Sequence, residues 1–133
     1  MSTTITARYE GDTHTTITDD AGHSVASSAP KQYGGDENAY GPTDYIGVAL
    51  ASCTLTTMAL WGQSQGLDLV GATVRVEKEM GGKRIARLAS FVTLPNAIPA
   101  ELRAPLEAAG LGCFVHESLH PEIEHPVTFE YTL

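Results

Sequence analysis

The segment over residues 43–65 constrains the fold more than any other part of the chain. Pro42 or Thr43 suits a helix start and Gly66 suits its C-terminal cap, so the pattern predicts one long helix. Its apolar residues, Ile46, Val48, Leu50, Ala51, Leu55, Met58, Leu60 and Trp61, fall all round the helical wheel. A helix that is apolar on every side must be covered on every side. One layer of sheet covers one side only. Some further element must cover the rest, and a second subunit would serve.

The flanking sequence reads as strands and turns. In the first 30 residues Thr4, Thr6 and Arg8 alternate with Ile5, Ala7 and Tyr9, which is the strand period. Turn signals at Glu10-Gly11-Asp12 and Asp19-Asp20-Ala21-Gly22 divide this stretch, with strands over 14–18 and 23–28, into a three-stranded meander. Residues 33–42 hold too many glycines for regular structure, and their two tyrosines, Tyr33 and Tyr40, are candidates to line a pocket or to pin the loop. Strand period returns over 67–80, Gly81-Gly82 signals a hairpin, and 83–94 is the return strand. Pro99 starts a second helix bearing Leu102 and Leu106 four apart, with Pro105 expected to kink or restart it. Gly110 and Gly112 break the chain before Cys113, a turn or two follows over 115–119, and 127–131 is a final strand. The order βββ-α-ββ-α-β, with hairpins and no regular βαβ alternation, predicts an α+β fold.

At 133 residues, with 42% apolar, the chain is expected to form a single domain over 1–133 with a modest core, for which a shared dimer core is a plausible remedy. Sixteen acidic residues against eight basic ones give a net charge of −8. Four bases fall between Arg75 and Arg84, but Glu77 and Glu79 interrupt them, which makes a poor stripe for phosphates. No nucleic-acid partner is expected, and an acidic skin is repelled by anionic lipid. The start of the chain lacks the apolar run of a secretory signal, and no apolar stretch reaches membrane-spanning length. The expected setting is cytoplasmic, with no membrane contact and a small, neutral or apolar partner.

The chemistry concentrates in two cysteines. Cys53 sits within the apolar helix segment and Cys113 at the glycine break. A structural disulfide suits a reducing cytosol poorly. Zinc calls for about four ligands, often in close pairs; Cys113, His116 and His120 lie near one another, but His14, His23 and His125 are dispersed. No metal or cofactor is expected. Taken alone, a cysteine in an apolar helix such as Cys53 most often is an inert core residue. Cys113, with glycines on both sides of Leu111, is harder to treat as inert. A redox pair needs a thiolate, a group that stabilises it and a second thiol within reach. The surroundings favour that pair. Asp44, nine residues before Cys53, is either a carboxylate that orients a donor or a carboxylate favoured by the helix dipole.

Two stretches carry a resemblance. Gly41-Pro42-Thr43-Asp44-Tyr45 leading to Ala49-Leu50-Ala51-Ser52-Cys53-Thr54, and Cys113-Phe114-Val115-His116-Glu117-Ser118-Leu119, are similar to segments of the OsmC/Ohr family of thiol-dependent peroxidases. The element order resembles that family along nearly the whole chain. The resemblance implies an OsmC-like fold with a long buried central helix, in an intertwined homodimer with active sites at the subunit interface. It implies that Cys53 attacks an organic hydroperoxide, that Cys113 resolves the sulfenic acid to a redox-active disulfide, and that a dithiol reductant restores both. It also implies an arginine near the reactive cysteine, for which Arg8 is the only arginine in the N-terminal region, and an acid, for which Asp44 stands where Glu is frequent. Hydroperoxide-reducing members carry the acid one residue earlier, at Thr43 here, and Phe114 stands where proline is usual. A non-catalytic member binding a small apolar ligand at the same interface is the alternative.

Overall fold

The structure, a computed structural model, describes residues 2–133. It forms two compact units, residues 1–46 and 47–133.

The first unit is an antiparallel meander of β1 (Ile5–Gly11), β2 (His14–Asp19) and β3 (Ser24–Ser28). Its register follows the alternation read from the sequence: Ala7 faces Ile17, Tyr9 faces Thr15, and Ile17 faces Val25. β1 and β2 meet at a tight corner where Gly11, Asp12 and Thr13 all take positive φ. After β3 a single 3-10 turn over Lys31–Tyr33 folds back on itself. Gly35 is the residue this turn requires, because a Cβ there would lie 1.7 Å from the Ala29 carbonyl oxygen.

Helix α1 (Asp44–Ser64) begins in this unit and runs into the second. It is continuous, as the sequence predicts, but the single chain buries only one edge of it. Leu50, Thr54, Met58 and Gly62, each four residues after the last, are buried, while Ile46, Val48 and Leu60 stay exposed. By length and composition α1, with mean hydropathy 1.3, would suffice to cross a bilayer. This departs from the expectation that no apolar stretch reaches spanning length, because Ser and Thr interrupt the apolar run of α1 without lowering its mean hydropathy far.

In the second unit β4 (Thr73–Gly81) and β5 (Arg84–Thr93) form the expected hairpin, and β6 (Val127–Glu130) joins β5 in parallel, so β5 is the central strand. The connection from β5 to β6 passes through α2 (Ala100–Leu111) and α3 (Phe114–Ser118), which makes one parallel crossover in an otherwise antiparallel plan. Residues 67–72 are not strand. Leu67 donates to the Gly62 carbonyl, Asp68 caps the Val70 N–H, and Gly66 and Gly71 take positive φ. Their leucines are apolar because they pack on the core, and not because they alternate. Pro105 does not restart α2, which runs unbroken around it. So near the helix start, the missing N–H costs a single intrahelical bond, to the Glu101 carbonyl.

Two apolar clusters fill this unit. Met58, Val92, Leu94, Ile98 and Leu106 join α1, β5 and α2, with Trp61, Val74 and Phe129 packed around them. Leu50, Ile85 and Leu88 form the second, flanked by Val115, Leu119 and Ile123. α1 and α2 cross closely at Gly110, where a Cβ would stand 2.8 Å from the Met58 sulfur. On the other side of the hairpin the Arg75 guanidinium lies 4.3 Å above the Phe91 ring.

Candidate functional site

Four elements of local structure bring the two cysteines together. α1 carries Cys53 on a half-buried side, one residue before buried Thr54. α2 ends at Leu111, Gly112 closes it by donating to the Ala108 carbonyl, and Cys113 is the extended residue that caps α3. The second apolar cluster holds α3 in place, since Val115 and Leu119 pack against the cluster to which Leu50 of α1 belongs. Cys113 is thereby 1% exposed, and its thiol hydrogen-bonds the Cys53 sulfur. Both cysteines are free.

Their environments differ in sign. Burial pushes the Cys53 thiol up, but hydrogen bonds from the Val115 N–H, the Cys113 thiol, the Thr57 hydroxyl and the Phe114 N–H outweigh it. The net effect holds Cys53 below the ordinary thiol value. Thr57 sits one helical turn beyond Cys53, with its oxygen 4.0 Å from the sulfur. Cys113 moves the other way. Burial pushes it up, the Cys53 sulfur adds to this as hydrogen-bond partner and as charge, and the His116 N–H and Thr54 hydroxyl offset only part. Of the two, Cys53 is the readier to ionise, with the Cys113 thiol as one of its donors. A thiolate is the nucleophile of sulfur chemistry, and a neighbouring thiol is what closes a disulfide.

Beside the thiols lies a buried polar chain. Thr54 Oγ1 donates to the Leu50 carbonyl at 2.8 Å and meets His116 Nε2 at 3.3 Å. His116 Nδ1 meets His125 Nδ1 at 3.1 Å. Burial, and then His125, hold the His116 imidazole below its usual value, with Glu117 opposing.

The other two predicted site residues belong to the first unit. Asp44 is the first residue of α1 and accepts the Gly41 N–H at 2.9 Å, the helix-start role the sequence left open. Arg8 lies on β1, its side chain 79% exposed, with Nε 2.9 Å from Glu10, whose carboxyl it holds below the usual carboxylate range. Within this unit a cleft of about 640 Å³ is lined by Val25, Ala26, Glu37, Tyr40, Asp44 and Tyr45, among others. Tyr40 thus lines a pocket, with its ring 5.4 Å from that of Tyr45; Tyr33 is solvent-exposed and is not among the lining residues. Among the described residues no group of three or more His, Cys, Asp or Glu side chains is arranged to hold a metal ion.

Sequence reasoning passed over Thr54, Thr57, His125 and the N–H groups of Phe114 and Val115. Thr57, four residues from Cys53 on a helix, could have been found by spacing. His125 could not, because only the parallel pairing of β6 returns it to His116.

The family model of OsmC-like proteins matches residues 34–128, more than half of the chain and both cysteines. The chain belongs to the OsmC-like family. Solved structures agree over nearly its whole length. A protein from Psychrobacter arcticus 273-4, described as a candidate osmotic stress induced and detoxification response protein, is 26% identical with a TM-score of 0.91, covering 98% of this chain and 97% of that one. The organic hydroperoxide resistance protein OsmC of Legionella pneumophila is 14% identical with a TM-score of 0.74, covering 98% and 97%. The organic hydroperoxide resistance protein OhrB of Bacillus subtilis is 15% identical with a TM-score of 0.69, covering 98% of each chain. At these identities the last two speak for the OsmC fold alone. Comparison with curated proteins finds no match.

Proposed function

We propose that this OsmC-like protein is a cytoplasmic, homodimeric thiol peroxidase that reduces organic hydroperoxides. The observation that carries the reading is that two free cysteines are hydrogen-bond partners, Cys53 beside the Thr57 hydroxyl and Cys113 buried. In the first step the Cys53 thiolate attacks the terminal oxygen of the hydroperoxide. The O–O bond breaks, the alkoxide leaves and takes a proton to become an alcohol, and Cys53 is left as a sulfenic acid. In the second step the Cys113 sulfur attacks the Cys53 sulfur, an S–S bond forms, and water is lost. A dithiol then reduces the disulfide by exchange and is itself oxidised.

The N–H groups of Val115 and Phe114 keep the Cys53 charge in place before the attack, at no reorganisation cost. The exposed Phe114 ring, next to Cys113 in sequence, suits an apolar substrate. Arg8 is the candidate cation for the peroxide oxygens, and Asp44 the candidate acid that orients it. The faces of α1 and β1 left uncovered by this chain, including Ile5, Tyr9, Ile46 and Leu60, support a second copy as the covering element.

The test is turnover of an alkyl hydroperoxide with a dithiol. Wild type is expected to turn over, and Cys53→Ser to fall by at least about a hundredfold; equal rates would end the reading. A second reading, capture of a small apolar ligand without turnover, draws on the cleft lined by Tyr40 and Tyr45. Titration of Cys53 separates them, because a value at or above about 8.5 favours binding.

A further inference from the structure

We propose that the His116–His125 imidazole pair, acting through the Thr54 hydroxyl, takes the proton from Cys113 when it closes the disulfide on Cys53. The inference deepens the peroxidase reading and rests on it for its biological setting, but the proton transfer itself is testable apart from any peroxide.

A problem of chemistry points here. Cys113 must act as a thiolate to attack Cys53, yet it is 1% exposed and so has little access to solvent base. The polar groups next to it run outward in line. The Cys113 thiol meets the Thr54 hydroxyl, Thr54 meets His116 Nε2 at 3.3 Å, and His116 Nδ1 meets His125 Nδ1 at 3.1 Å. His116 is buried and His125 is half-exposed, so the line leads from a closed site towards solvent. A purely structural network would satisfy each group once. This one puts two imidazole nitrogens of the same kind face to face, an arrangement that needs a single proton between them.

The protons balance. The Thr54 hydroxyl, which donates to the Leu50 carbonyl while both thiols are free, first turns to His116 Nε2, which is open in the tautomer whose Nδ1–H donates to His125. As the S–S bond forms, the Cys113 proton passes to Thr54 Oγ1, the Thr54 proton to His116 Nε2, and the His116 Nδ1 proton to His125. The transfer ends with Nε2–H donating to Thr54 as the Thr54 hydroxyl returns to the Leu50 carbonyl. Hydroxide leaving from Cys53 takes up a proton as water. His116 acts through Thr54 and is a positioning residue for Cys113.

The charged and titratable groups that act on His116 are His125 and, on α3 itself, Glu117; Glu124, next to His125 in sequence, is bound to Arg87 on β5 at 3.0 Å. Burial and His125 keep His116 neutral below the ordinary imidazole value of about 6.5, and protonation at lower pH shuts the line.

The experiment uses dithiobis-nitrobenzoate, an aromatic disulfide that releases one coloured thiolate when Cys53 attacks and a second when Cys113 displaces the mixed disulfide. The second leaving thiolate takes no proton, so a base must. Wild type is expected to show second-phase release that falls as pH drops through the imidazole range. In His125→Asn, and separately in His116→Asn, that phase slows at least about tenfold and loses this pH step, while the first phase stays within about twofold. Thr54→Val repeats the defect and Thr54→Ser restores it. Second phases that match wild type in rate and pH profile in both histidine variants overturn the proposal, and His125→Asn, at a half-exposed position, decides if the buried variant misfolds. A normal second phase in a wild type that consumes no hydroperoxide would refute the peroxidase reading and leave the proton line standing.

Discussion

The two units of this chain are both built on a three-stranded sheet, yet only one has an interior. Residues 47–133 bury two apolar clusters beneath α1, α2 and α3. In the described part of 1–46 the buried residues are Ser27, Ser28 and Gly41, and the apolar side chains of β1 stand open, Ile5 at 69% and Tyr9 at 68% exposed. Alternation gave both sheets an apolar side, and only one side found cover within the chain. A sheet whose apolar side is bare in a monomer is a surface waiting for another molecule. In a chain that also leaves Ile46, Val48 and Leu60 of α1 exposed, a second copy is the economical cover.

The largest effect should separate the units directly. Leu106→Ala, in the closed cluster, is expected to cost about 2–5 kcal/mol by chemical denaturation. Tyr9→Ala should cost under about 0.5 kcal/mol if one chain is the whole story. The dimer account instead expects its melting midpoint to become lower on dilution, as it must when assembly stabilises the fold. A midpoint that ignores concentration, in wild type and variant alike, would break the account of the first unit. Next, Gly110→Ala should cost about 1–3 kcal/mol by wedging α2 off Met58, and a neutral result would mean the crossing is loose.

Smaller effects probe polar groups inside the second unit. Ser90 Oγ is buried on β5 with no hydrogen-bond partner among the described residues, so Ser90→Ala should leave stability unchanged or raise it by about 1 kcal/mol. A loss instead would reveal a partner the hydroxyl holds. Last, alkylation of Cys53 should rise with pH through a midpoint below the free thiol value of about 8.5, because its folded state favours the thiolate. By linkage that preference adds stability above the unfolded value and loses it as pH falls through the folded one, while raised Cys113 opposes it at alkaline pH. Cys113→Ala removes one donor and should move the Cys53 midpoint upward by under about one pH unit.

What could be read from sequence follows the range of the interactions. The meander, α1 and the β4–β5 hairpin are local, and alternation, Pro42 and Gly81-Gly82 mark them. Residues 67–72 misled because Leu67 and Leu69, either side of Asp68, imitate strand alternation while both pack on the core. The parallel joining of β6 to β5, and with it the meeting of His125 and His116, depends on contacts far apart in sequence and left no local sign. At the site, the approach of Cys53 and Cys113 was legible through the family resemblance. The hydrogen bonds that tune them apart were not, because two of the donors to Cys53 are backbone N–H groups, which carry no residue signature.

The account stands on Cys53 and Cys113 acting as one redox couple. Intact mass after one equivalent of an alkyl hydroperoxide tests this most directly. The expected product is the whole chain lighter by two hydrogens, with both thiols lost to alkylation and regained with a dithiol. An unchanged mass, with both cysteines still alkylated, would contradict it.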